Sequence, residues 1–204
     1  MSNKEEKFFE QLRLFCLESS RSGMIFSKIS TGEIDLEEGR EMIADIKKKL
    51  RPERISLLEK IYKLYKSPVE IDFAKNFVYQ IYNIINLMNE TVLHISVFPA
   101  DKTPKEFMMM TQLIQSALEE ILKTLEYAPD ISENYMKIEA RYRKVHVFEE
   151  RGDVIYKDAL RELFAEGKKP EYIICWKEIF ADTEKMLDAA AESVSSLQRL
   201  LTNE

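Results

Sequence analysis

The chain has 204 residues, enough for one sizeable hydrophobic core or for two small helical bundles that share an interface. Hydrophobic residues make up 45% of it and charged residues 32%, which is typical of a folded protein and excludes a disordered one. The formal net charge of −6 argues against nucleic acid as the main partner, because contacts to phosphates need a basic surface.

Apolar residues recur at spacings of three and four along most of the chain, which predicts α-helices. With five glycines and six prolines there is little material for hairpins, and no strand pattern competes. We therefore predict an all-α fold. Its six helices should cover, in chain order, roughly residues 4–30, 36–65 with a restart or kink at Pro52, 68–99, 104–125, 132–164 and 170–201.

The chain also contains a weak internal repeat. When Pro68 is placed on Pro170, an offset of 102 (170 − 68), the helices that follow align without gaps. Asn89-Glu90-Thr91-Val92 then falls on Ala191-Glu192-Ser193-Val194. This indicates a duplication, with residues 1–100 as the first three-helix repeat, residues 101–204 as the second, and a boundary between Pro99 and Pro104.

Two acidic pairs in the second repeat give the sharpest chemical signal. Glu149/Asp153 and Glu184/Asp188 are each spaced i, i+4, so both carboxylates of a pair lie on one face of their helix. If the two helices pack antiparallel through those faces, four carboxylates converge, and such a cluster needs a cation or several donors to neutralise it. Carboxylates suit hard cations, iron or manganese. His146 lies on the same face and is a candidate nitrogen ligand that would also admit zinc. The alternative is that all four acids are solvated.

The first repeat has no counterpart to these acids. At the same offset their places are taken by Lys47, Arg51, Tyr82 and Asn86. If the acids bind a metal, the second repeat should bind it alone.

Other features place limits on location and chemistry. The most apolar stretch, residues 77–98, contains too many amide side chains for a membrane span and is expected to be a buried helix. Within it, Glu90 and His94 are expected to form a local ion pair or hydrogen bond. The start of the chain shows no export signal, and Cys16 and Cys175 form no close motif. We therefore expect a cytoplasmic protein with two free thiols.

The stretch from Tyr142 to Glu192 resembles a known family. It contains the run from Phe148 to Tyr156, Phe-Glu-Glu-Arg-Gly-Asp-Val-Ile-Tyr, followed by Pro170 and by Trp176-Lys-Glu-Ile-Phe. This pattern is similar to the PhoU-like phosphate transport regulators that are often encoded beside Pit-type phosphate transporters. The resemblance implies two three-helix bundles packed side by side. It also implies a Glu/Asp-x-x-x-Asp signature that holds iron or zinc in relatives, which maps here to Glu149, Asp153, Glu184 and Asp188.

The resemblance implies a regulator of inorganic phosphate transport. Its partner would be a Pit-type transporter or a signalling protein, and it would lie at the inner face of the membrane without inserting. A metal-free helical adaptor with an unrelated partner is the alternative. A di-metal hydrolase or oxidase is the third reading, but the sequence offers no positioned base, glycine-rich phosphate loop or His-Glu-x-x-His motif, so we expect no enzyme. Assembly into a homo-oligomer is left open.

Overall fold

The computed structural model describes residues 3–98, 103–165 and 167–202, and in these ranges the chain is helical, with no β-strand. The predicted all-α class is confirmed. The helices are α1 (Asn3–Thr31), α2 (Leu36–Leu64), α3 (Pro68–Val97), α4 (Lys105–Tyr127), α5 (Ile131–Leu163) and α6 (Pro170–Thr202), with a 3₁₀ turn at Ala128–Asp130 before α5.

Local signals account for several helix ends. The Asp35 carboxylate accepts hydrogen bonds from the backbone N–H groups of Glu37 and Glu38, and so caps α2. Pro68 is the first residue of α3 and Pro170 the first of α6, where the missing N–H costs no helical hydrogen bond. Pro104 was predicted to be the first residue of its helix but instead precedes it, with extended backbone angles.

Pro52 was predicted to restart or kink the second helix, and the restart is wrong, because α2 continues through this residue. Pro52 lies on the exposed face of the helix, where water can solvate the carbonyl that loses its hydrogen bond. Leu50 and Leu57, on either side, are both buried in the core. Packing of the buried face therefore holds the helix together across the proline.

The helices pack in two groups of three that share an interface. The middle helix of each group, α2 or α5, packs against the two others of its own group. The groups meet through contacts of α3 with α6 and of α1 with α4. Edge-to-face contacts of Phe107 with Phe26 (5.6 Å between ring centroids) and with Trp176 (5.3 Å) join α1, α4 and α6 in one continuous core.

Burial follows the same 102-residue offset as the sequence repeat. Pairs that the offset relates are buried together on all three helices, among them Leu12/Ile114, Ile43/Val145, Phe77/Ile179 and Val92/Val194. This agreement supports a division into two repeats, 1–100 and 101–204, which we retain as a proposal. The boundary between Pro99 and Pro104 lies largely outside the described residues.

In the described ranges, no helix combines the length and the apolar character needed to cross a membrane. The apolar stretch around α3 is instead largely buried against the neighbouring helices, as predicted, with Phe77, Ile81, Ile85 and Met88 fully inside the core.

Candidate functional site

The acidic pairs of the second repeat lie on α5 and α6, which run antiparallel. Three contacts define their register: Gln198 Nε2 donates to Glu139 Oε1 at 2.6 Å, and Ser195 Oγ lies 3.4 Å from His146 Nε2. The third contact is that of Gly152 with Leu187. As residue numbers rise on α5 they fall on α6, so Asp153 lies opposite Asp188.

Gly152 allows the two helices to approach closely at this point. A Cβ atom added to it would overlap the Cδ1 atom of Leu187, which is itself buried in the core. Gly152 immediately precedes Asp153, and Leu187 immediately precedes Asp188. The close approach therefore brings the two aspartates to the same place on the surface.

The four carboxylates are close enough to repel one another. Burial raises the pKa of Glu149 above its usual value, and the nearby charges of Asp153 and Asp188 raise it further. The pKa of Glu184 is raised by burial and then by Asp188 and Asp153. The structure thus brings together the four residues Glu149, Asp153, Glu184 and Asp188 that the sequence singled out.

Few cations balance this charge. Lys157 Nζ lies 2.9 Å from Asp153 Oδ2, and this hydrogen bond raises the pKa of the lysine. The pKa of Asp188 is raised, first by burial and then by Asp153 and Glu192. As whole residues Glu149, Asp153 and Glu184 are half-buried and Asp188 is exposed, although the Asp188 carboxyl is still partly shielded from water. The cluster is therefore a negatively charged patch at the surface, not a buried ion-pair network.

The cluster has the chemistry of a metal site without the closed geometry of one. Within residues 3–98, 103–165 and 167–202, no three or more His, Cys, Asp or Glu side chains are arranged so that they could hold a metal ion. The donor set nevertheless fits a hard cation, because all four groups are carboxylates whose mutual repulsion a cation would relieve. Glu149, Asp153, Glu184 and Asp188 are the residues that would hold it, after rotation of their side chains.

The two histidines differ in their relation to the cluster. His146 contacts Ser195 and lies near enough to Glu149 to lower the pKa of that carboxyl, in opposition to the burial that raises it. His146 as a ligand stays a prediction. The expected pair of Glu90 and His94 is not formed: Glu90 is exposed, and the buried Nδ1 atom of His94 has no hydrogen-bond partner.

The corresponding place in the first repeat holds a cation of the protein itself. The Arg54 guanidinium stacks on the ring of Tyr82, with its central carbon 4.3 Å from the ring centroid. Tyr82 is the residue that the offset relates to Glu184. The first repeat therefore replaces a carboxylate with an aromatic ring and covers it with an arginine.

Two solved structures share this architecture. One is a PhoU-like protein from Shewanella oneidensis MR-1, with a TM-score of 0.73 and 16% identity, matched over 97% of this chain and 100% of that one. The fold is PhoU-like. A second PhoU-like structure from the same organism, provisionally described as a phosphate regulatory protein, has a TM-score of 0.74 with the same identity and coverage. Comparison with protein-family models and with curated proteins gave no match.

The similarity to these structures confirms the PhoU-like fold that the resemblance of residues 142–192 implied. Sequence reasoning missed the part played by Gly152, although a glycine in the middle of a long amphipathic helix is a recognisable signal of close packing. It also missed the polar contact between the two groups of helices, in which the Asn76 side-chain amide donates to Glu192 (3.0 Å) and to Ser196 (2.8 Å).

Proposed function

We propose that this protein regulates inorganic phosphate transport, as an accessory protein that binds a phosphate transporter or its signalling partner. The observation that supports this most strongly is the PhoU-like fold, which extends over 97% of the chain in comparison with a protein described as a phosphate regulatory protein. The acidic cluster on α5 and α6, at the positions of the family signature, is the second support. The action proposed is association with a partner, without catalysis, in the cytoplasm at the inner face of the membrane.

The surface around the cluster suits a protein partner. An open groove of about 760 Å³ between α4 and α5 is lined by exposed apolar side chains, including Met109 (46% exposed), Val147 (40%) and Val154 (59%). Val154 follows Asp153 directly, so the groove and the carboxylates lie on adjoining faces of α5. Apolar surface supplies affinity and acidic surface supplies steering toward basic partners. Cytoplasmic loops of transporters are basic by the positive-inside rule.

A metal ion bound by Glu149, Asp153, Glu184 and Asp188 would add positive charge and join α5 to α6. Iron, zinc and manganese are the candidates, and we propose a divalent or ferric ion as an optional component of the second repeat. The carboxylates themselves hold the negative charge that would attract the ion and, without it, the basic loops of a partner.

The proposal is tested in cells that lack the protein. Phosphate uptake and co-purification with the phosphate transporter are measured after complementation with the wild type, with Val154→Glu, and with Tyr79→Glu as a matched control on an exposed face of the first repeat. We expect Val154→Glu to weaken co-purification and alter uptake, and the control to act as wild type. Unchanged uptake on deletion, together with no co-purification, would reject the proposal.

The alternative function is a metal-free adaptor with a partner outside phosphate transport. This alternative is supported by one observation: among the described residues, no side chains are already arranged so that they could hold a metal ion. Under this alternative, changing all four acids to Ala leaves partner binding intact, and the partner identified by cross-linking is not a phosphate transporter.

A further inference from the structure

A second charged site lies in the first repeat, and its charge is positive rather than negative. The start of α1 and the end of α2 border a partly open cavity of about 260 Å³. Four of the six residues that line it are lysines, and the other two form an apolar floor: Lys4, Lys7, Lys60, Lys63, Phe8 and Leu64. None of these lining residues is acidic. On a chain with a net charge of −6, this is a local reversal of sign.

Helix stability does not explain this arrangement. Lys4 and Lys7 lie in the first two turns of α1, where the helix dipole disfavours a positive charge. Other cations at the surface contact carboxylates, as Arg13 does with Glu10 and Arg40 with Glu37. Lys60 instead donates a hydrogen bond to the neutral side chain of Gln11.

The surroundings would strengthen an anion contact. Phe8 is 1% exposed and, with Leu64, forms an apolar floor under the cavity, which is open to solvent elsewhere. Lower local polarity strengthens the attraction between ammonium groups and an anion. A phosphate group suits such a site, because it carries more than one negative charge and several acceptor oxygens that different lysines can share.

We propose that this lysine cavity, formed by Lys4, Lys7, Lys60 and Lys63 over Phe8 and Leu64, binds a phosphate group. The group is either free inorganic phosphate or the headgroup of an anionic phospholipid, since the recognition chemistry is the same. The site is separate from the acidic cluster and goes beyond the proposed function. It would make the first repeat a sensor of phosphate in one case and a membrane-attachment surface in the other.

The test compares two double variants with equal loss of charge. Lys7→Gln/Lys63→Gln removes two exposed lysines of the cavity, whereas Lys47→Gln/Lys48→Gln removes two lysines of α2 outside it. Each purified protein is titrated with sodium phosphate in a calorimeter at low ionic strength, against sodium chloride of equal ionic strength. Each is also sedimented with vesicles of phosphatidylglycerol and with vesicles of phosphatidylcholine. Circular dichroism confirms that both variants are folded.

We expect the wild type and the control to bind in at least one arm, and the cavity variant to bind about tenfold more weakly there, because two charge-assisted hydrogen bonds are lost. Binding of phosphate but not chloride identifies the free anion, and sedimentation with phosphatidylglycerol alone identifies the lipid headgroup. The proposal is overturned if the wild type binds in neither arm, or if the cavity variant binds as tightly as the control. The proposed function is tested by a different experiment, co-purification with the transporter. The outcome of the phosphate and vesicle experiments therefore leaves that test unchanged.

Discussion

The carboxylate cluster should destabilise the metal-free protein at neutral pH, and the double substitution Glu149→Gln/Asp188→Asn tests this. Each substitution removes one charge from an i, i+4 acidic pair, and together they also remove the repulsion between Glu149 and Asp188 across the two helices. An exposed like-charge pair at this spacing costs about 0.2–0.5 kcal/mol. Two such pairs and the repulsion between helices amount to about 0.5–1.5 kcal/mol, since these side chains are partly solvated.

We therefore expect the double variant to be more stable than the wild type at pH 7 in the presence of a chelator. The midpoint of thermal unfolding should rise by about 1–5 °C for a chain of this size. Asp45→Asn/Glu178→Gln is the matched control, because it removes one Asp and one Glu charge at exposed positions outside the cluster. Thermal and urea unfolding, followed by circular dichroism, provide the measurement.

The pH dependence follows from the direction of the shifts. The pKa values of Glu149, Glu184 and Asp188 are raised in the folded state. At a pH between the unfolded-state pKa and the folded-state pKa, the folded protein therefore binds more protons than the unfolded chain. The destabilisation caused by the carboxylates is fully present above the folded-state pKa. It disappears as the pH falls through that pKa toward about pH 4. The difference between variant and wild type should therefore shrink as the pH is lowered from 7 to 4.

A bound metal should reverse the order of stability. At a metal concentration of about 100 times the dissociation constant, ligand binding stabilises the folded state by about 2.7 kcal/mol. The wild type should gain this stabilisation from iron, zinc or manganese, and the double variant should not. If the double variant is less stable than the wild type at pH 7 in chelator, the carboxylates are held by favourable contacts and the reasoning is refuted.

Three further predictions concern packing and reactivity. Gly152→Val should destabilise the protein by about 1–3 kcal/mol in urea unfolding, because the valine side chain would overlap Leu187 in the core. An unchanged midpoint of urea unfolding would mean that α5 and α6 can move apart at this point without cost. Glu120→Gln should cost about 2 kcal/mol above the ordinary pKa range of a glutamate, because this buried carboxylate accepts a 2.7 Å hydrogen bond from Arg141. Burial opposes the charge of Glu120, but its contacts with Arg141 and Lys123 outweigh burial and lower its pKa, so the cost should diminish only as the pH falls through that lowered pKa. Burial raises the pKa of the Cys16 thiol, so it should react with Ellman's reagent only after unfolding; rapid reaction of the native protein would contradict its placement in the core.

Local sequence signals predicted the helical elements because the forces that start and end a helix act over a few residues. Asp35 caps α2 through its own side chain, and Pro68 and Pro170 each begin a helix. The prediction failed at Pro52, where the local rule for proline was overridden by burial of Leu50 and Leu57 on the opposite face. Propensity is a weak prior wherever a long amphipathic face is packed.

The acidic cluster was predictable in part. The spacing of Glu149/Asp153 and of Glu184/Asp188 determined that each pair shares a helix face. That the two faces meet depended on the close approach of α5 to α6 at Gly152, which the spacing within either helix does not contain. The sequence alone also showed that the first repeat lacks these acids. It did not show that Arg54 covers Tyr82 there, because their contact joins two helices.

By itself, then, the sequence determined the helices, the repeated pattern of burial and the identity of the acidic residues, since each depends on neighbours within a few turns. Tertiary structure alone decided which charges share a site. Lys4 and Lys7 are far along the chain from Lys60 and Lys63, and only the packing of α1 against α2 places them around one cavity. Electrostatic interactions depend on distance in space, and that distance is set by helix packing rather than by the order of residues.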